Sequence, residues 1–110
     1  MPKAQPTSEE TLNKIREFAP KLMELTDDVL FGDIWERPGL SKRDRSLITV
    51  AALVATYRVN ELPSHIVRAR KNGVSKDELV ELIIHLAFYT GWPNAMTAVR
   101  IAMDLLDETE

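Results

Sequence analysis

Leu47-Ile-Thr-Val-Ala-Ala-Leu-Val-Ala-Thr-Tyr57 is the stretch on which the architecture turns, because its side chains are apolar nearly all round. Its β-branched residues Ile48, Thr49, Val50 and Val54 would suit a strand. Eleven residues with a cap ahead of them and no turn partner behind them favour a helix instead. Ser41 supplies that cap and Asp44 sits in the first turn. A helix this apolar is normally covered on several sides, which in a small protein points to a subunit interface.

Upstream, residues 1–6 carry two prolines and read as a mobile leader. Thr7 and Glu10 then form a capping-box pattern, followed by Leu12, Ile15, Phe18 and Ala19 at helical spacing. Pro20 restarts the chain, with Leu22, Leu25, Val29 and Leu30 reading as a second helix. Phe31 to Gly39 is a connector punctuated by Gly32 and Pro38-Gly39, whose bulky Phe31, Ile34 and Trp35 pack onto the core or line a pocket.

Downstream, Asn60 is a natural N-cap for a helix through Val67 and Ala69 that stops at Asn72-Gly73. Ser75 and Glu78 form a second capping box, opening a helix with Leu79, Leu82, Ile83, Leu86 and Ala87 inward. After the turn at Thr90-Gly91-Trp92-Pro93-Asn94, Ala95, Ala98, Val99, Ala102 and Leu105-Leu106 give the last helix a small-residue face. No segment alternates as a strand does. The expectation is an all-α domain of about six helices over residues 7–110.

The chain has 110 residues, of which 45% are hydrophobic and 28% charged, the balance of one globular domain. A net charge of −3 offers no basic field for a nucleic-acid backbone. No apolar run reaches the length of a membrane span, and the N-terminus has no signal core, so a cytoplasmic location is expected. The absence of cysteine removes disulfides, thiolate nucleophiles, thiolate metal sites and dithiol redox chemistry together.

Glu61 and His65 are four residues apart, which on a helix places both on one face with Cβ atoms roughly 6 Å apart. A carboxylate there fixes the imidazole tautomer and raises its pKa, a way of making a general acid or base. A solvated surface pair has the same spacing. His85, on an otherwise apolar helix, reads either as a second donor or as a satisfied core histidine. With Glu61 the two histidines would offer three ligands to a metal, but His-x-x-x-His spacing is missing and no metal is expected.

The segments FGDIWERPGLSKRDRSLITVAALVA and ELPSHIVRARKNGVSKDELVELIIHLAFYTGWPNAM together resemble the carboxymuconolactone decarboxylase family over roughly residues 28–106. The most specific parts are Trp35 with Arg37-Pro38-Gly39-Leu40, then Arg45-Ser46-Leu47, and Glu61-Leu62 with His65. Asn72-Gly73, His85, Tyr89, Gly91 and Pro93 complete the pattern. The resemblance implies an alkylhydroperoxidase-D-like helical fold, assembled as a homotrimer or hexamer. It also implies cofactor-free loss of CO₂ from a γ-carboxylated butenolide, a small-molecule substrate of aromatic-acid breakdown. Peroxidase relatives use a Cys-x-x-Cys pair, so peroxiredoxin-type activity does not carry over to a chain without cysteine. This sequence departs from the decarboxylase pattern at Thr56-Tyr57 and at Gly91-Trp92-Pro93-Asn94, both of which put large or polar groups near the expected pocket.

Such a decarboxylation leaves charge on an extended enolate, so it needs a donor at the lactone oxygen and an acid for carbon. His65 is the expected acid or oxyanion donor, Glu61 orients it, and His85 is a second donor. Arg45, and after it Arg43, would hold a substrate carboxylate through bidentate contacts. Trp35, Tyr89 and Trp92 would form apolar walls, or else belong to core or interface. A non-catalytic helical oligomer that binds a small molecule, and a cysteine-free relative serving peroxide defence with a partner protein, are the competing readings.

Overall fold

The computed structural model describes residues 8–106, and within them every regular element is helical. The expected leader and the Thr7 cap lie outside the described residues. The chain divides after Gly39 into two compact units.

In the first unit, α1 (Ser8–Phe18) is followed by α2 (Pro20–Leu25), with Pro20 at a position where a missing N–H costs nothing. The second helix expected through Leu30 loosens after Leu25 into a π-helical turn, Thr26–Phe31, and a short 3-10 turn follows at Ile34–Glu36. Thr26 explains part of this. Its hydroxyl donates to the Leu22 carbonyl at 2.8 Å, a side-chain bond of the kind that bends helices. Trp35 and Met23 are buried, and the Trp35 ring lies 5.8 Å from that of Phe31. Phe18 is exposed despite its helical spacing.

The second unit contains α3 (Lys42–Ala55), α4 (Leu62–Lys71), α5 (Lys76–Thr90) and α6 (Trp92–Leu106). The ambiguous stretch is helical, capped by Ser41, whose hydroxyl accepts from the Asp44 N–H at 3.0 Å. The full capping box at Ser75/Glu78 forms, with both reciprocal bonds present. Gly73 takes φ +95° to release the chain from α4. Asn60 is not the cap of α4. Glu61 holds that position in helical backbone geometry without a side-chain cap bond, and its N–H and that of Leu62 both donate to the Arg58 carbonyl.

Val50, Val54, Leu62, Ile66, Val74, Leu79 and Ile83 fill the core, closed by Ala95, Ala98 and Ala102 of α6. Each large aliphatic removed from water here contributes roughly 1.5–3 kcal/mol, and the alanines let α6 approach α4 and α5 closely. α4 and α5 each pack on α3 and on α6 rather than on one another. Burial of α3 is one-sided: Ile48, Ala52 and Ala55 face outward, opposite Val50 and Val54.

Candidate active site

Two hydrogen-bonded or ion-paired contacts fix how α4 and α5 flank α3. Asn72 Nδ2 at the end of α4 donates to Ser46 Oγ near the start of α3 at 3.0 Å, so these helices run antiparallel. Arg43, at the start of α3, is ion-paired with Glu78 at the start of α5, so those two run side by side in the same direction. Leu47 and Ala51 face α5, while Ser46 reaches α4, which puts α4 and α5 along different flanks of α3.

His65 precedes Asn72 by two helical turns and shares its face, so it looks toward α3 at about the level of Leu53. His85 lines an open groove of about 410 Å³ with Leu47, Ala51, Glu78, Glu81, Leu82 and Leu86, at about the level of Ala51. The two imidazoles therefore stand at similar heights along α3, on its two different flanks, with Ile48, Ala52 and Ala55 facing outward from α3. Glu61 and His65 do not line the groove that His85 lines.

His65 is half-buried, and its Nδ1 is buried without a hydrogen-bond partner. Burial, reinforced by the nearby Arg68 guanidinium, holds its pKa below the ordinary histidine value. Glu61 pulls the other way and loses. The upward shift expected from the sequence is thus reversed, because Glu61 is exposed and its charge is screened while the ring pays for desolvation. A neutral His65 presents one N–H donor and one acceptor nitrogen.

His85 is exposed rather than a core histidine, and its ring stacks on Tyr89 with centroids 4.9 Å apart. Trp92 does not join that pair; it meets Phe88 edge-on at 5.9 Å. Arg45 is half-buried on α3 and stands about eight residues before the level of His65, roughly 12 Å along the helix. Arg43 is held by Glu78, whose carboxyl lies below its usual range because the Ser75 backbone N–H and the Arg43 guanidinium both favour its charged form. Trp35 lies in the first unit, packed near Phe31.

Asn94, one of the departures from the decarboxylase pattern, has a structural task. Its Nδ2 donates to the Val54 and Ala55 carbonyls at 3.4 and 3.5 Å and so closes the C-terminus of α3. Tyr57, the other departure, takes φ +58°, a left-handed backbone usually left to glycine.

Glu81 was missed at the sequence level. It precedes His85 by four residues, the same interval as Glu61 before His65, and that repeated spacing was the available signal. Among the described residues no three His, Asp or Glu side chains gather as metal ligands.

The family model described as carboxymuconolactone decarboxylase family matches residues 20–104. A 4-carboxymuconolactone decarboxylase of Acinetobacter baylyi is 36% identical over 98 residues, covering 89% of this chain and 73% of that protein. The nitrosuccinic acid decarboxylase npaB of Metarhizium robertsii is 31% identical over 106 residues, covering 93% of this chain and 74% of its own.

Proposed function

Since the chain belongs to the carboxymuconolactone decarboxylase family, we propose that it is a decarboxylase, a carbon–carbon lyase acting on a small carboxylated substrate. A γ-carboxylated butenolide or similar lactone is the substrate class, handled by acid–base chemistry without a cofactor. Both relatives are named for loss of a carboxyl group from an acid, which supports the reaction class more strongly than any one substrate.

The observation that carries the reading is His65, a desolvated imidazole on the wall of α4 that faces α3, with a carboxylate one turn away. When the bond to the leaving carboxylate breaks, its electron pair moves into the conjugated carbonyl and negative charge gathers on oxygen. A neutral His65 stabilises that oxygen through its N–H, which favours the oxyanion-donor role over that of an imidazolium acid. Glu61 biases the ring orientation. His85, on the other flank of α3, is assigned the delivery of the proton that carbon needs. Arg45 holds a carboxylate of the substrate, with Arg43 second because Glu78 already engages it. Tyr89 and Trp92 are the apolar surfaces assigned to exclude water. The working form is a homo-oligomer, trimeric or hexameric.

The test is CO₂ release and loss of lactone ultraviolet absorbance over a panel of carboxylated lactones and open-chain acids. Turnover by the native chain and its near-complete loss in His65→Ala are expected. The reading fails if nothing in the panel loses CO₂, or if His65→Ala keeps full activity.

A further inference from the structure

Among the asparagines of this chain only Asn72 is followed by glycine; Asn13, Asn60 and Asn94 precede Lys, Glu and Ala. Separate structural needs bring that pair about. Position 73 takes φ +95° as α4 ends, a backbone that glycine adopts without strain. Position 72 presents an N–H to the oxygen of the buried Ser46 hydroxyl, 3.0 Å away, which an amide can do and a carboxylate cannot. The outcome is a chemically labile dipeptide. Asparagine is among the thermolabile residues, and glycine has no Cβ to shield its peptide nitrogen from the neighbouring side-chain amide.

The reaction open to this pair consumes only water. The Gly73 nitrogen gives its proton to a solvent base and bonds to Asn72 Cγ. The Cγ–Nδ2 bond breaks, and ammonia leaves with that electron pair and a proton. Water then opens the five-membered imide at one of its carbonyls, leaving aspartate or, where the chain now runs through the side chain, isoaspartate. Gly73 is exposed, and no atom beyond its chain neighbours lies within 4 Å of where a Cβ would stand, so water and base reach the peptide.

The folded chain holds this reaction back. Asn72 has ψ 10°, which eclipses the Gly73 nitrogen with Asn72's own nitrogen, whereas ring closure needs it eclipsed with Cβ. The Gly73 N–H donates to the Arg70 carbonyl at 3.1 Å, and the buried Val74 anchors the next peptide through the Ala69 carbonyl at 2.9 Å. The side-chain amide is tied to Ser46, so Cγ is kept from turning toward the Gly73 nitrogen.

We propose that Asn72-Gly73 is a latent deamidation site and that the Ser46 hydroxyl is its lock. Either product loses the amide N–H that Ser46 accepts and puts a negative charge at the C-terminal end of α4, where the helix dipole disfavours it. Isoaspartate also lengthens the backbone by a methylene. Reaction here therefore undoes the bond that ties α4 to α3, whatever the substrate of the protein.

The test follows Asn72 by peptide mapping and mass spectrometry during incubation in mildly alkaline buffer, with isoaspartate methyltransferase to label isoaspartate. In denaturant the native chain should lose the Asn72 amide before those of Asn13, Asn60 and Asn94, and the folded chain should lose it far more slowly. Ser46→Ala should speed the folded reaction by about three- to tenfold, the change in opening equilibrium expected from one lost hydrogen bond. Ser46→Cys, similar in size and a weak acceptor, should do likewise if the alanine variant does not fold. Ile83→Val, which trims the core on α5 instead, should leave the rate unchanged and so separates release of the lock from general loosening. No preference for Asn72 in denaturant, equal rates in folded and denatured chains, or Ser46 variants no faster than Ile83→Val would overturn the proposal.

Discussion

Ser46 and Asn72 are joined side chain to side chain at 3.0 Å, with Ser46 fully buried, and this bond sets the height at which His65 stands against α3. A hydroxyl in the apolar face of α3 would cost stability if left alone, so the amide at the end of α4 is its required partner. Ser46→Ala and Asn72→Ala should each lower stability by about 1–2 kcal/mol. The double variant should cost clearly less than the sum, because both changes remove one bond. Denaturant melts of the four proteins measure this, and strict additivity would show that the contact is energetically idle.

The charge state of His65 can be tested from two sides. Removing the Arg68 charge with Arg68→Gln should raise its pKa, and removing the carboxylate with Glu61→Gln should lower it further. NMR titration of the ring reads both. Opposite signs are required; no shift in either variant would mean that the ring senses neither group.

Linkage converts the same displacement into a pH dependence of folding. The folded-state pKa of His65 lies below its unfolded value of 6.5, so the unfolded chain binds more protons between the two. Stability should be full above pH 6.5 and fall as pH drops through the folded pKa. Glu78 adds a second loss in more acid solution, below its ordinary 4.5, as its carboxylate protonates and releases Ser75 and Arg43. His65→Gln should flatten only the first slope in melts followed across this range.

For turnover, loss of His65 should cost about 10²–10⁴-fold, the usual weight of a positioned proton-transfer or oxyanion group. Glu61→Gln should cost far less, since it acts through the ring. His85→Ala should impair kcat more than KM. Comparable losses at all three would mean that Glu61 touches the substrate itself.

Tyr57 sits in a left-handed conformation that favours glycine. Tyr57→Gly should therefore raise stability by about 0.5–1 kcal/mol, read from thermal or denaturant midpoints. A loss instead would show that the exposed ring makes a contact worth more than the backbone cost.

The helices after Gly39 were legible because their signals are local: a cap at Ser41, a capping box at Ser75, a stop at Asn72-Gly73 and alanines every three or four residues. The π-helical turn at Thr26–Phe31 was not, since its period differs little from that of a continuous helix over so short a span. Residue types and spacing on one helix were also readable, which is why Glu61/His65 stood out. Burial was not. Periodicity cannot tell whether Glu61 is screened by water while His65 is dry, and that difference reverses the direction in which the imidazole shifts. Nor could spacing reveal that Asn94 closes α3, because the carbonyls it serves are about forty residues away in the chain.

Asn94 makes the corner between α5 and α6 a strut. Its amide grips the last turn of α3, just where the chain leaves toward Glu61, so neither helix can swing without tearing that grip. Loosening that grip with Asn94→Ala would free the corner without touching either imidazole.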